Sequence, residues 1–213
     1  MQIAIMGAGA VGGALGSSWS RVGHTIRYGV ENPSNPKYLA IAARSGNAIV
    51  TTVATAAKDA AVIVLAVPFE AAETVLSQCG DLAGRVVIDA TNPLRLGSEG
   101  LALTMGFATS AAECVAQFAK DAAVFKTLNQ VGAAVMGRAQ ELPSPPVMFV
   151  AGDNVAGKTM VMTLVEELGF FPIDAGGLSA ARLLEPLAML WIDLVHNKKT
   201  MPQGAFHFMP LNP

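Results

Sequence analysis

The chain has 213 residues, of which 52% are hydrophobic and 14% charged, with a net charge of −2. That balance excludes a disordered polymer, and with no basic run beyond Lys198-Lys199 it speaks against nucleic acid as a partner. The length allows one domain, or one domain with an appendage, and is enough to bury a core without disulfides or metals.

Residues 2–6 are short, continuous and apolar, the pattern of a buried parallel strand. Gly7-Ala8-Gly9-Ala10-Val11-Gly12 follows, and a helix is predicted from about Ala10 to Val22. Gly23-His24 turns into a second strand, Thr25 to Gly29; His24 reads as a turn or surface residue rather than a catalyst. The loop Val30 to Lys37 carries Asn-Pro-Ser-Asn-Pro. A short helix to Ser45, a short strand at Ile49-Val50 and a helix over Thr52–Ala60 lead to Ala61–Val67, the clearest buried strand, which Pro68 stops.

Phe69 to Cys79 has helical spacing, and Arg85 to Ala90 is a strand ended by Thr91-Asn92-Pro93. Residues 94–108 lack clear periodicity and read as a loop. Ser110 to Lys120 reads as a helix with Glu113 at capping-box spacing from Ser110. A strand over Ala122–Leu128, a short helix over Val131–Gln140, a strand over Val147–Ala151, a helix over Asp153–Leu168 and a strand over Phe170–Asp174 follow. The last helix spans about Leu178 to Lys198, with Pro186 predicting a kink and Arg182, Glu185 and Asp193 on a narrow polar side. Two apolar stripes along it, Leu183/Leu187/Leu190/Leu194 and Ala181/Leu184/Ala188/Trp191/Val195, call for cover on more than one side. Alternating strands and helices predict an α/β fold: a Rossmann-type, doubly wound, mostly parallel sheet over residues 1–175, with a C-terminal helix and tail, 176–213, available for dimerisation.

Gly-x-Gly-x-x-Gly alone is a weak signal, but here it lies between a first strand and a helix. Gly7 allows the tight turn, Gly9 lets a pyrophosphate approach the backbone, and Gly12 lets the helix pack on the strand. Free N–H groups at Ala10, Val11 and Gly12 then face phosphate with the positive helix end behind them. Glu31, nineteen residues after Gly12, stands where an acid bonds the free ribose hydroxyls of NAD. Lys37 is the nearby cation that a 2′-phosphate would want. Ala66-Val67-Pro68 and Thr91-Asn92 end two further strands at the ligand-binding edge of such a sheet.

The chain has three histidines, His24, His196 and His207, and none stands at a strand end. There is no metal-ligand spacing and no obvious catalytic lysine, so neither a metal nor a catalytic side chain is predicted. Reducing a carbonyl needs a proton donor as well as hydride, whereas hydride exchange with a flavin-like ring needs mainly alignment; a base-poor crevice suits the second. Cys79 and Cys114 lie far apart and read as free thiols of a reducing compartment. With no basic n-region before the first strand and no apolar stretch of about 18 residues, the expected location is cytoplasmic.

These residues resemble the deazaflavin (coenzyme F-420)-dependent NADP oxidoreductases and their bacterial dinucleotide-binding relatives. The markers are the glycine turn, Gly29–Lys37, Leu65-Ala-Val-Pro68, Asp89-Ala-Thr-Asn-Pro93, Lys126-Thr-Leu-Asn-Gln-Val-Gly132, Ala151-Gly-Asp153 and Asp174–Glu185. The resemblance implies a Rossmann core, a homodimer packed through the C-terminal helix, and hydride transfer between NADPH and a deazaflavin. It places Ala8, Gly9, Ala10 and Val11 on the phosphates and Val67-Pro68 beside the nicotinamide ribose. Val30 and Glu31 match the serine and arginine that grip the 2′-phosphate, and Asn129 to Gly132 match the stretch near the nicotinamide. Glu31 departs from the arginine, so the choice between NADP and NAD stays open; Asn129 and Gly132 depart from a histidine and a proline, so the choice between flavin and deazaflavin stays open too. Three functions follow: hydride transfer between NAD(P)H and a flavin or deazaflavin, reduction of a small imine or carbonyl, or NAD(P) binding without turnover.

Overall fold

The computed structural model describes residues 1–46 and 48–209. In chain order its elements are β1 (Gln2–Met6), α1 (Ala10–Arg21), β2 (Thr25–Gly29), α2 (Pro36–Ala43), β3 (Ile49–Thr51), α3 (Val53–Ala57), β4 (Val62–Leu65) and α4 (Ala72–Gln78). Then come β5 (Val86–Asp89), β6 (Leu94–Gly97), β7 (Gly100–Leu103), α5 (Ala111–Phe118), β8 (Ala123–Lys126), α6 (Ala133–Met136), β9 (Val147–Gly152), α7 (Val155–Glu167), β10 (Phe171–Asp174) and α8 (Ala181–Ile192).

Among the described residues eight strands form one sheet in the order β3-β2-β1-β4-β5-β8-β9-β10. Neighbours are parallel except β8 and β9, which pair antiparallel, so the doubly wound, mostly parallel reading holds. The central strands are buried on both faces because their residues alternate between two cores. Ile3, Ile5, Val62, Val64 and Ile88 join one core with Leu15 and Trp19 of α1 and Leu164 of α7. Ala4, Met6, Ile63, Leu65 and Val87 join the other with Leu76 of α4 and Val115 of α5. Trp19 Nε1 donates to the Leu164 carbonyl at 2.9 Å, which ties α1 to α7 within the first core.

Four sequence expectations are corrected. Residues 94–108 hold a hairpin: β6 and β7 pair from Leu94↔Leu103 to Gly97↔Gly100 around the two-residue loop Ser98-Glu99. The flanking glycines, Gly100 at φ +110°, are the turn chemistry that was legible there; Asn197 fixes the strand by bonding both the N–H and the carbonyl of Leu101. The predicted helix over 131–140 divides into α6 and a 3-10 turn at Ala139–Glu141. The last helix contains Pro186 on its exposed side, and its final turn, Asp193–Asn197, is π-helical instead of continuing the α-helix. Glu185, expected on the polar side, is instead fully buried. The Ala181/Leu184/Ala188/Trp191 stripe faces the molecule, while Leu183 and Leu190 face outward.

Candidate functional site

β1 ends where the chain must reverse into α1, and the turn is made of contacts only glycine allows. Gly7 takes φ +104°, donates its N–H to the Gly29 carbonyl at 2.9 Å, and would bring a Cβ to 2.6 Å from the Ala66 carbonyl oxygen. A Cβ on Gly12 would run into the Gly7 carbonyl oxygen, so this glycine lets α1 lie against the end of β1. Gly9 differs: no heavy atom stands within 4 Å of where its Cβ would be. Gly9 is also the N-cap of α1 and supplies no side-chain acceptor to the first turn. Helix starts leave their first N–H groups unpaired and carry partial positive charge, so Ala10, Val11 and Gly12 offer donors beside open space.

Beside this turn lies a cavity of about 470 Å³, inside the usual range for a small-molecule site. It sits at the switch point where the sheet grows in opposite directions from β1, between the turn after β1 and the turn after β4. Gly7, Ala8, Gly9, Val30, Glu31, Lys37, Ala66, Val67 and Pro68 all line it, as their sequence positions require. Val30 is buried against the first core, while Glu31 and Lys37 are exposed at the rim. Sequence reasoning missed Tyr38, Thr74 and Gln78, which also line the cavity. Tyr38 could have been inferred from Asn35-Pro36, the cap and first position that start α2; nothing in the local pattern of α4 marked Thr74 or Gln78.

Thr91, Asn92 and Asn129 do not line this cavity. They form a second group farther along the same edge. Met6, Leu65, Asp89 and Lys126 share one row across β1, β4, β5 and β8. Strands lie about 4.8 Å apart, so the turn after β5 stands roughly 10 Å from the turn after β1. The two asparagines bond reciprocally: Asn92 Nδ2 donates to the Asn129 carbonyl at 2.8 Å, and Asn129 Nδ2 to Asn92 Oδ1 at 3.0 Å. Asn129 Nδ2 also donates to the Leu184 carbonyl of α8 at 3.2 Å. Asn129 Oδ1, Thr91 Oγ1 and Thr127 Oγ1 are buried without a partner.

Behind that pair lies a cluster that sequence reasoning did not find. Lys126 is fully buried, and its Nζ donates to Asp89 Oδ2 at 2.9 Å and to the Thr91 carbonyl at 2.7 Å, with Glu185 Oε1 at 3.0 Å. Asp89 and Glu185 are equally buried. Asp89 Oδ1 accepts the Thr91 N–H at 2.9 Å, and Glu185 accepts the N–H groups of Ala111 and Ala112 at the start of α5. Both oxygens of both carboxylates are thus occupied as acceptors, and neither presents a proton to a substrate. The available signal was a lysine near the end of the predicted strand Ala122–Leu128 and an aspartate near the end of the predicted strand Arg85–Ala90, which the sheet pairs in register.

The remaining candidates are structural. His24 is buried rather than at the surface, because its Nε2 meets Glu167 at 2.7 Å and its Nδ1 meets the N-terminal amine at 3.2 Å. The cysteines are free, and burial pushes the Cys79 thiol up to about 11, leaving little nucleophilic thiolate. Burial, then the nearby carboxylates of Glu185, Glu113 and Asp89, push Cys114 up as well. Among the described residues no group of His, Cys, Asp and Glu could hold a metal ion, and no helix is long and apolar enough to cross a membrane.

Residues 2–93 match the family model of NADP oxidoreductase, coenzyme F420-dependent. The chain is 28% identical to the F420-dependent NADP reductase of Methanocaldococcus jannaschii over 155 residues, covering 70% of this chain and 68% of that protein. It is 30% identical over 108 residues to the human metalloreductase STEAP2, covering 51% of this chain and only 20% of the length of that relative. Among solved structures, a candidate F420-dependent NADP reductase from Arthrobacter sp. FB24 superposes with a TM-score of 0.89 at 27% identity, covering 99% of this chain and 100% of that one.

Proposed function

We propose that this chain, which over residues 2–93 belongs to the coenzyme F420-dependent NADP oxidoreductase family, binds a nicotinamide dinucleotide and transfers hydride between it and a flavin or deazaflavin. The observation that carries the reading is the turn at Gly7–Gly12. Open space at Gly9 and uncapped N–H groups at the start of α1 stand where a pyrophosphate would approach. When bound, the nicotinamide supplies the hydride. Val30, Glu31, Lys37 and Tyr38 would surround the adenosine ribose, and Ala66 to Pro68 the second ribose. Thr91, Asn92 and Asn129 would lie at the nicotinamide end, one strand beyond Ala66.

One feature favours a ring acceptor over an imine or carbonyl. The two acids behind the nicotinamide end have both oxygens engaged as acceptors, so no carboxyl is offered as a proton donor there; the Thr91 hydroxyl, unpartnered among the described residues, is the group through which an imine or carbonyl would be protonated instead. Ring-to-ring hydride exchange asks mainly for alignment. Glu31 at the ribose end favours NAD by its charge, against the NADP in the family description. For the region 176–213 we propose a role in dimerisation, since α8 leaves Leu183 73% and Leu190 51% exposed; residues 210–213 lie outside the described residues.

Titration of the purified chain with NADH and NADPH by nicotinamide fluorescence, followed by stopped-flow oxidation with flavin and deazaflavin acceptors, tests the reading. Binding of one nucleotide with oxidation by a ring acceptor is the expected result. No binding of either nucleotide would overturn it, and turnover only with imines or carbonyls would replace the acceptor.

A further inference from the structure

The buried charges at the β5–β8 end stand out because taking charges out of water is costly. Replacing a buried ion pair by apolar side chains of similar volume is often neutral or stabilising. Here three charged groups, Asp89, Lys126 and Glu185, are kept at zero exposure, and their bonds run to one another, to one short turn and to the start of α5. Lys126 Nζ takes the Thr91 carbonyl, and Asp89 takes the Thr91 N–H, so both backbone polar groups of Thr91 are fixed. The next residue, Asn92, is locked to Asn129, and Asn129 is locked to the carbonyl of Leu184, which precedes Glu185. Lys126 Nζ therefore joins the end of β5, the turn after it and α8 at one atom, and the Asn92–Asn129 pair follows from that turn. Beside the asparagine pair, Asn129 Oδ1 and Thr91 Oγ1 have no partner. An orphaned buried polar atom is costly to leave unpaired, so this end carries polar capacity beyond what the fold uses.

We propose that Lys126 is a positioning residue: through Asp89, Thr91 and Glu185 it holds the Thr91-Asn92 turn and the Asn92–Asn129 pair in register with the nicotinamide half of the dinucleotide. The inference rests on the dinucleotide reading above. It assigns no proton transfer to Lys126, whose three donors are engaged with Asp89, Thr91 and Glu185. Its action is on geometry, and a small misplacement of positioning groups is enough to slow a hydride step. The effect should be confined to one half of the ligand, because the glycine-turn cavity shares no lining residue with the cluster.

The test compares affinities for the preferred dinucleotide and for its ADP-ribose counterpart, which lacks nicotinamide, by calorimetry on the full chain. In the unmodified protein nicotinamide should add at least about tenfold to the affinity. In Lys126→Met the ADP-ribose affinity should stay within about twofold, while that tenfold advantage disappears. A general structural defect would weaken both ligands together, and that result, or no change in either, would overturn the proposal. Should Lys126→Met fail to fold, the uncharged variant Asp89→Asn/Lys126→Met/Glu185→Gln keeps an acceptor for the Thr91 N–H and for one of the two α5 N–H groups and should show the same selective loss. If that variant also fails to fold, the cluster is a folding element and the positioning role is overturned. An unmodified protein that binds neither ligand takes down the dinucleotide reading along with the inference, whereas normal binding unaltered by the variants takes down the inference alone.

Discussion

At the β1 end of the sheet edge the site is made by leaving atoms out. Gly7 and Gly12 permit contacts with carbonyl oxygens that a Cβ would forbid, and Gly9 leaves a space. The donors there are backbone N–H groups at the start of α1, and among the described residues the charges lining the cavity, Glu31 and Lys37, are at its exposed rim. At the β5–β8 end charge is put in: two carboxylates and an ammonium, wholly buried, stand behind two mutually bonded asparagines. The contrast teaches that phosphate can be met by a rigid backbone whose residues lie close in sequence. On the proposed reading the planar ring would instead be met by side chains from the turns after β5 and β8, distant from each other in sequence.

The largest effect should come from breaking the charged end. Glu185→Ala leaves the Ala111 and Ala112 N–H groups without their acceptor and removes one of two carboxylates from buried Lys126. Loss of one partner from a buried pair costs about 3–5 kcal/mol, measurable as a lower urea midpoint. A loss below about 1 kcal/mol would show the cluster to be hydrated and exchangeable, no different from a surface pair.

The glycine end should split its own motif. Gly12→Ala drives a methyl group into the Gly7 carbonyl and should cost roughly 1–3 kcal/mol, the usual range for overpacking. Gly9→Ala meets no protein atom, and its backbone, at φ −88°, suits any residue, so its midpoint should not move. Its dinucleotide affinity should nonetheless fall by about tenfold or more, because the added methyl group fills the space left for the phosphates. Equal stability loss in the two variants would mean that Gly9 is structural like Gly12.

The difference between the ends also explains what could be read from the sequence. The strand–glycine–helix order, Ala66-Val67-Pro68 and Glu31 were legible because each is a local pattern with one geometric consequence. The sheet was legible for the same reason: Ile3 to Met6 and Val62 to Leu65 are runs that only a doubly covered strand can bury. Lys126 was quoted as part of a motif but not as a functional group, since its partners Asp89 and Glu185 lie 37 and 59 positions away. Glu185 was misplaced on a polar face because helical spacing says which residues share a side, not what packs against it. The β6–β7 hairpin escaped because two four-residue strands are too short for alternation to register, leaving only Gly97 and Gly100 as a sign.

Cofactor choice sharpens the comparison at the rim of the first end. Glu31→Arg should shift the ratio of affinities for NADPH and NADH toward NADPH by about tenfold, some 1.4 kcal/mol, as read by fluorescence titration. An unchanged ratio would show that the Glu31 side chain does not read the ribose and would leave Lys37 and Tyr38 to do so.

The smallest expected effect separates the buried cluster from its surface neighbour. Arg182 of α8 grips Glu113 of α5 with two hydrogen bonds, at 2.9 and 2.6 Å, spanning the junction that Glu185 spans from inside. Arg182 foremost, with the Ser110 hydroxyl beside it, holds the Glu113 carboxyl below the usual carboxylate range. A carboxyl depressed on folding stabilises the native state above its unfolded value, near 4.3, and loses that contribution as pH falls through the lower folded value. The unmodified protein should therefore lose stability below about pH 4 with a component that Arg182→Met lacks. Near pH 7 the substitution should cost less than about 1 kcal/mol, because the pair is partly exposed and screened. Urea midpoints across the acid range check both statements. If Arg182→Met cost as much as Glu185→Ala at neutral pH, α8 would be docked by its surface pair as much as by its buried charges, and the distinction between the two would fail.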